Sequence, residues 1–428
     1  MPTTFFLPMI FRVCSAYRSA SVPRSTKKTL DKMLKILYNY VIMNLPPQII
    51  QIAEKLKKIK LPFAKPREVV GVDIGNYSVK LVQLKFANGK WTLDKYASAL
   101  TTNPEQAETT PLEKKQLTVN AIKQIIAEQK ITAKDAATSV SGNSVIVRYV
   151  KFPKLTSEQL SKTIQFEAEP FIPFPINDVN ISFQILGDIV EEGATKMETI
   201  LVAAKKEIIQ NKIDILQEAG LRPIVVDVDS FAIENALAVN ATDEELQSTY
   251  LVINCGTSTT NISIIENGTS RVIRDIFIAS SSFSKAIQRN LQIDWKQSED
   301  KKLKFGILVT PDEKEKALSN GNDEVLQLST ILLSPARELM AECQRSIDFY
   351  QTQSITEKII NKIYLCGAGA LLKGLDKYIE SQAKLPVEIF NPFSKIATEP
   401  VLSASNIQNF SQYAVAVGLA TRTRDDVK

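Results

Sequence analysis

Apolar positions run unbroken from Val69 to Val72, give way to Asp73-Ile74-Gly75-Asn76-Tyr77-Ser78, and resume through Val79, Leu81, Val82 and Leu84. That pattern predicts a strand, a tight turn and a second strand, and Asn88-Gly89 then closes a hairpin. The same grammar returns at Tyr250-Leu251-Val252-Ile253-Asn254-Cys255-Gly256-Thr257-Ser258-Thr259-Thr260-Asn261, whose second strand ends at Asn267-Gly268. Setting Gly75 on Gly256 pairs Asp73 with Asn254 and Ser78 with Thr259. Two related halves are expected.

Between these units a polar linker at 101–111 leads into helical periodicity over Leu112–Gln129, with Leu117, Ala121, Ile122, Ile125 and Ile126 on one face. Ala136–Val150 reads as strands turning at Ser141-Gly142-Asn143, and Leu155–Glu169 as a helix capped by Thr156 or Ser157. In the following Pro170-Phe171-Ile172-Pro173-Phe174-Pro175 the prolines forbid regular structure, so its apolar residues either enter a core or meet a partner. Val179–Leu186 and Met197–Ala204 read as paired strands. Glu207–Ala219 reads as a helix ended by Gly220, and Ile224–Val228 as a buried strand. In the second half Phe283–Asn290 opens a helix, and the lysine-rich stretch to Asn322 reads as an exposed surface subdomain. Val325–Gln353 predicts one long helix with Glu342 and Arg345 on one face. Ile359–Cys366 predicts a buried strand running into Gly367-Ala368-Gly369-Ala370, and Tyr413–Ala420 a closing helix of small residues.

Composition narrows the chemistry. The 428 residues include no histidine, which removes histidine triads, bases and metal ligands together. Cys14, Cys255, Cys343 and Cys366 are widely spaced without a C-x-x-C pair and read as reduced, buried thiols. Much of the net charge of +5 sits in the first sixty-odd residues, so the body is near neutral and carries no nucleic-acid footprint. At 44% hydrophobic the chain buries a large core and divides into more than one domain. No apolar run approaches the roughly 20 residues that span a bilayer.

Residues 1–64 differ from the rest. Phe5–Cys14 is apolar but broken by Pro8 and Arg12, with no basic residue before it, which argues against a signal peptide. A partly disordered tail, or a true start at Met43, is expected; the acid-free stretch to Lys28 also suits an organellar transit peptide. Ile49, Ile52, Ala53, Leu56 and Ile59 fall at helical spacing among Lys55, Lys57, Lys58 and Lys60. Such a basic amphipathic helix, near 47–60, would lie on a membrane surface, dock on a partner or pack on its own domain.

The chemistry sits in the turns. A glycine at a strand end lets bare backbone approach a ligand, and successive amides there form an anion-binding concavity. Asp73 would hold a hydrated Mg2+, and Lys80 would reach a phosphate. With the helix start at Asp227-Val228-Asp229, the glycine turn at 367–370 and the closing Ala/Gly helix, the ordered set resembles the five-part nucleotide-binding signature of the actin, sugar-kinase and heat-shock ATPase superfamily. Finer features resemble the type IV pilus assembly PilM family over about residues 69–421. They are Phe166-Glu167-Ala168-Glu169 through Ile172-Pro173-Phe174-Pro175, Asn180–Leu186, Val202-Ala203-Ala204-Lys205, Glu342 with Arg345–Tyr350, Tyr364-Leu365-Cys366-Gly367 and Tyr413–Ala420.

The resemblance implies an α/β, actin-like (ribonuclease-H-like, duplicated) two-lobed ATPase fold with an α+β subdomain inserted in the first lobe. The layout expected is an extension at 1–64, a first lobe at 65–135 and the insert at 136–220. A return to the first lobe with a connecting helix follows at 221–250, then a second lobe at 251–428. ATP and Mg2+ are the implied cofactors. Asp73 would order Mg2+ through water. Gly75, Asn76, Tyr77 and Ser78, with Gly256, Thr257, Ser258 and Thr259, would donate to phosphates; Lys80 would contact the terminal ones and Asn254 would open the second loop. Gly367, Ala368 and Gly369 would line the adenosine pocket with Glu342 and Arg345, and Asp229 would position a hydrolytic water. Two departures point to binding with slow or no turnover: Asn254 replaces the usual aspartate, and Ser280-Ser281-Ser282 stands where relatives tend to have Gly-Gly.

The family reading further implies a cytoplasmic protein, peripheral to the inner membrane, that holds the cytoplasmic N-terminus of the membrane protein PilN in a groove beside the insert. Other pilus platform proteins would be neighbours; self-association stays open, and no nucleic acid is expected. A filament-forming, FtsA-like division or secretion protein is the alternative. Its C-terminal amphipathic anchor has no counterpart in Thr421–Lys428, although the helix near 47–60 could substitute. A small-molecule kinase would use Asp229 as base, but the Ile-, Phe- and Pro-rich insert lacks a polar sugar pocket.

Overall fold

The computed structural model of the chain describes residues 68–87, 89–102, 110–191, 193–353, 359–398, 401, 409–423 and 426. The expected extension at 1–64, the basic helix expected near 47–60 and Cys14 lie outside them. The first half runs β1 (Val69–Ile74), β2 (Ser78–Ala87), β3 (Lys90–Leu100), α1 (Pro111–Glu128), β4 (Asp135–Val140), β5 (Val145–Pro153), α2 (Ser157–Ala168), β6 (Val179–Glu191), β7 (Ala194–Lys205), α3 (Lys206–Glu218), β8 (Arg222–Val228) and α4 (Asp229–Asn240). The second runs β9 (Thr249–Cys255), β10 (Thr260–Glu266), β11 (Thr269–Ile276), α5 (Ser280–Leu291), α6 (Trp295–Lys304), α7 (Pro311–Ser319), α8 (Asp323–Thr352), β12 (Lys362–Cys366), α9 (Leu375–Ala383), β13 (Val387–Ile389) and α10 (Ala414–Ala420).

The two halves build the same sheet. Strand order is β3-β2-β1-β4-β8 in the first and β11-β10-β9-β12-β13 in the second. In both, the leading three strands are antiparallel and the last two are added parallel. Val69–Val72 and Tyr250–Cys255 are buried without alternation because these central strands are covered on both faces. The second hairpin closes with φ of 52° at Asn267 and 71° at Gly268, the paired positive angles of the tight turn that Asn-Gly favours. Capping boxes start α1 at Thr110 with Glu113, and α2 at Thr156 with Gln159.

Helices α1 and α3 cover one face of the first sheet, where Ile122, Ile125, Ile215 and Leu216 meet Val70, Val72 and Leu81. Helices α5, α8 and α9 cover the outer face of the second. Between the sheets lie α4 and α10, in a core that joins Val69, Val82 and Val225 of the first to Val252, Ile265 and Tyr364 of the second. A Cβ on Gly418 would fall inside the shell of the Ala232 carbonyl, so the two helices touch backbone to backbone. The buried Arg422 donates twice to Asp227 and ties the end of α10 to the end of β8.

The inserted layer is the sheet β5-β7-β6, covered by Leu160, Ile164 and Ala168 of α2. It is narrower than the expected 136–220. β4 pairs with β1 and β8, and α3 packs on the first sheet, so the insert proper spans Val145–Lys205. The proline segment divides its residues between core and surface. Ile172 is buried, the Phe174 ring lies 4.8 Å from Lys205 Nζ, and Phe171 stays 41% exposed. The lysine-rich stretch after Asn290 is not simply exposed: it folds into α6 and α7, with Ser298, Lys302 and Ala317 buried. Among the described residues no helix is long and apolar enough to cross a membrane.

Candidate functional site

The β1–β2 and β9–β10 turns face one cleft of about 410 Å3. The same bond closes each: Gly75 N donates to Ser78 O at 3.2 Å, and Gly256 N to Thr259 O at 3.0 Å. A Cβ on Gly75 would stand 2.9 Å from the Ser78 carbonyl, and one on Gly256 2.7 Å from that of Thr259. Glycine is therefore required by the turn itself in both halves.

Register sets Asp73 opposite Lys80 in the first hairpin and Asn254 opposite Asn261 in the second. The first slot holds an ion pair, Lys80 Nζ to Asp73 Oδ2 at 3.4 Å. The second holds a neutral pair, with Asn254 Nδ2 donating to Asn261 Oδ1 at 2.7 Å. Asn261 donates onward to Asp275 at 2.6 Å, and Asp275 also accepts from Gly142 N in the β4–β5 turn. Burial raises the Asp275 carboxyl above its ordinary range. The second loop thus keeps a hydrogen-bonded chain but presents no carboxylate at the position of Asp73.

Two helix lysines complete the cleft. Lys212 of α3 donates to Ile74 O at 2.7 Å; Lys114 of α1 donates to Asn76 O and, at 2.9 Å, to Thr101 Oγ1. Both brace the first turn through its carbonyls. Burial, with the nearby charge of Lys212, pulls Lys114 down to about 8. Burial also lowers Lys212, against the attraction of Asp229 and Asp73. Asp229, the first residue of α4, is pushed up to about 6 by burial and by the charge of Asp73, while bonds from Ser139 and Ser141 pull the other way. Four lysines and two aspartates line the cleft. Its net positive potential, with glycine-turn amides at two corners, suits a polyanion.

Lys114 and Lys212 escaped the sequence reading, yet each carries a signal. Lys212 sits at i+3 from Ile209 and i−3 from Ile215, and Lys114 at i−4 from Thr118, on the buried stripes of their helices. A lysine on an apolar stripe needs an acceptor or an anion.

Past Tyr77 and Thr257 the cleft continues into a recess of about 170 Å3 bordered by Ala368 and Gly369. Helix α6 walls it with Trp295, Glu299 and Lys302. Lys302, only 6% exposed, pairs with Glu299 at 2.8 Å and donates to Ser280 Oγ at 3.0 Å. Ser280 and Ser281 donate their amides to the carbonyls of Gly256 at 3.0 Å and Thr257 at 2.8 Å, which fixes α5 on the second turn. Gly367 has φ of +82°, and a Cβ there or on Gly369 would strike Cys255. Close packing of β12 on β9 is what those glycines serve.

Of the residues expected at the site, Asp73, Gly75, Asn76, Tyr77, Lys80, Asp229, Asn254, Gly256, Thr257, Ser258, Thr259, Gly367 and Ala368 line the cleft, and Gly369 lines the recess. Ser78 enters only through its carbonyl in the turn. Glu342 and Arg345 are elsewhere. Glu342 bonds Arg274 of β11 at 3.1 Å and pairs with Arg345, and neither residue lines the cleft or the recess. Their i, i+3 spacing on α8 reflects that ion-pair network.

A family model described as type IV pilus assembly protein PilM matches residues 71–424. The chain belongs to the type IV pilus assembly PilM family. The matched span takes in both glycine turns, the insert and the closing helix. Among solved structures, a PilM-PilN type IV pilus biogenesis complex aligns with a TM-score of 0.68 and 25% identity, covering 85% of this chain and 100% of that one. The ethanolamine utilization protein EutJ from Carboxydothermus hydrogenoformans aligns at 0.45 and 13% identity, over 85% and 93% of the two chains. MreB5 of Spiroplasma citri bound to ADP aligns at 0.44 and 14%, over 82% and 94%. The PilM-family fold of this chain is actin-like, a duplicated sheet with an insert in the first half.

Proposed function

We propose that this PilM-family chain is a nucleotide-binding assembly protein of the type IV pilus inner-membrane platform. In this reading it takes ATP with Mg2+ in the cleft and holds the cytoplasmic N-terminus of a PilN protein. The observation that carries the reading is the cleft: two glycine turns with the same closure, and Lys80, Lys114 and Lys212 on its walls.

The donor set fits a nucleoside triphosphate. Amides of Asn76 and Tyr77 and of Thr257–Thr259 would hold phosphates, and the recess beside Glu299, Lys302 and Ser280 would take the ribose and base. No cluster of three or more metal-ligating side chains occurs among the described residues. That suits Mg2+, which keeps several waters and needs one or two carboxylates besides phosphate oxygens; Asp73 would be the carboxylate. Bound ATP supplies a terminal phosphoryl group. The chain's own residues fix its surroundings, with Asp229 held by Ser139 and Ser141 and placed to order a water.

Affinity for the nucleotide is expected to depend on pH. Lys114 attracts the phosphates only while protonated, and burial with the charge of Lys212 brings it down to about 8. Binding ATP stabilises the ammonium form, so affinity is full below about 8 and falls as pH rises past it, by at most about tenfold per unit. Titrations between pH 6.5 and 9.5 should show that slope in the parent and a flatter one in Lys114→Met.

Turnover is expected to be slow because the second loop lacks a carboxylate facing the metal and phosphates. Asn254→Asp should raise ATP hydrolysis at least about tenfold. It should also cost about 1–2 kcal/mol of stability, since aspartate cannot donate to Asn261. A variant that hydrolyses no faster than the parent removes the argument from charge.

The alignment with the PilM-PilN complex, over 85% of this chain and the whole of that one, supports the partner assignment. So do the apolar residues on the insert, Phe166 at 81% and Phe171 at 41% exposed. Calorimetric titration with a PilN cytoplasmic peptide, with and without ATP and Mg2+, tests it. Micromolar binding whose affinity shifts with nucleotide is expected; no binding in either state overturns the pilus-platform reading.

A further inference from the structure

Of the lysines that line the cleft, all but one face a carboxylate. Lys80 pairs with Asp73 at 3.4 Å, Lys115 pairs with Glu218 at 2.6 Å, and Lys212 is drawn by Asp229 and Asp73. Lys114 differs. It makes no ion pair among the described residues, and the charge that acts on it is another cation, Lys212. It also falls in the first turn of α1, the end of a helix where the dipole disfavours positive charge.

The hydrogen bonds of Lys114 suit a neutral amine. Its Nζ donates to Asn76 O and, at 2.9 Å, to Thr101 Oγ1. An ammonium carries three protons and an amine two. Both amine protons therefore have acceptors, and the remaining position is a lone pair. Burial beside Lys212 brings the group down to about 8. Near pH 7.5 about a quarter of it is then uncharged, against about one part in a thousand for an ordinary lysine. Lysines desolvated beside another cation act as nucleophiles. Lys114 is only half-buried, so a reagent entering the cleft reaches it. The Asn76 and Tyr77 amides, in the turn that Lys114 braces, close no bond within that turn and would hold a phosphate group in the same cleft.

On the reading of the cleft as a phosphate site, we propose that Lys114 is an acylation site, modified by a small acyl phosphate whose phosphate group the cleft holds. The lone pair of Lys114 Nζ attacks the acyl carbon. A C–N bond forms, the C–O bond to phosphate breaks, inorganic phosphate leaves with the electron pair, and the nitrogen gives its extra proton to water. The product is a neutral amide in place of a cation that faces the phosphates. Acylation thus lowers the affinity of the cleft for any polyanion.

The test treats the full chain with acetyl phosphate and, separately, with acetic anhydride, which carries no phosphate. Peptide mass spectrometry reads acetylation at Lys114 and at Lys123, an exposed lysine of the same helix. The ratio of Lys114 to Lys123 should be at least about tenfold higher with acetyl phosphate, because burial and basicity act alike on both reagents. Inorganic tripolyphosphate should suppress that excess and leave Lys123 unchanged. The treated parent should bind ATP about tenfold more weakly, whereas Lys114→Arg should change by less than about twofold on the same treatment. An equal ratio with the two reagents, no suppression by tripolyphosphate, or an equal loss in Lys114→Arg overturns the modification site while ATP binding to the untreated parent stands. A parent that binds neither ATP nor tripolyphosphate overturns the reading of the cleft, and the modification with it.

Discussion

Gly418→Ala destabilises the protein by about 3 kcal/mol or more, an overpacking effect at the upper end of those seen in cores. Every residue of α10 is buried. On one side the Gly418 α-carbon lies against the Ala232 carbonyl of α4, close enough that any Cβ must displace backbone. On the other side Gly71 of β1 meets the Ala416 carbonyl and the Ala420 amide just as tightly. Helix α10 is thus clamped between α4 and the first sheet, and a shift that relieves one contact tightens the other. Urea unfolding should show a large fall in midpoint. Gly187→Ala, where a Cβ meets nothing within 4 Å, should change stability by less than about 0.5 kcal/mol. A Gly418→Ala protein as stable as its parent would mean that α4 and α10 do not approach as described.

Arg422→Met is expected to cost about 3–5 kcal/mol at pH 8, the loss found when one partner of a buried ion pair is removed. Asp227 and Arg422 are 2% and 4% exposed, so the variant leaves a carboxylate with neither water nor a cation. The pH dependence has a definite sign. Burial already raises the Asp227 carboxyl above its ordinary range, and losing Arg422 raises it further. A folded-state value above the unfolded one means that the stability deficit is smallest at low pH and grows as pH rises toward that value. Unfolding at pH 5 and pH 8 should show the smaller deficit at pH 5, and adding Asp227→Asn should recover part of the loss at pH 8. A deficit independent of pH would place the effect in packing of the arginine stem.

Much of the fold was legible because duplication left its mark in short patterns. The apolar runs at Val69–Val72 and Leu251–Ile253, each followed by a glycine turn and an Asn-Gly hairpin, have that form because their strands are covered on both faces. One parallel strand was harder to place. β4 reads like the strands of the insert, and only its pairing with β1 assigns it to the first sheet. The site was legible where chemistry lies in the turn itself, as at Gly75 and Gly256. It was not legible where helices deliver single side chains over long separations. Lys114, Lys212, Glu299 and Lys302 belong to helices that look like ordinary amphipathic segments, and their shared cleft exists only in three dimensions. Glu342 and Arg345 show the reverse error: a charged pair at helical spacing meets a surface arginine, Arg274, as readily as a ligand.

The decisive measurement is calorimetric titration of the full chain with ATP in the presence of Mg2+, run in parallel on the parent, Lys212→Glu and Glu342→Ala. Binding at one site per chain is expected for the parent. Lys212→Glu should weaken it by at least about a hundredfold, because a cation facing the phosphates becomes an anion. Glu342→Ala should stay within about twofold of the parent, since that residue lies outside the cleft and the recess. No binding to the parent, or parent-level affinity in Lys212→Glu, would contradict the assignment of the cleft as the nucleotide site.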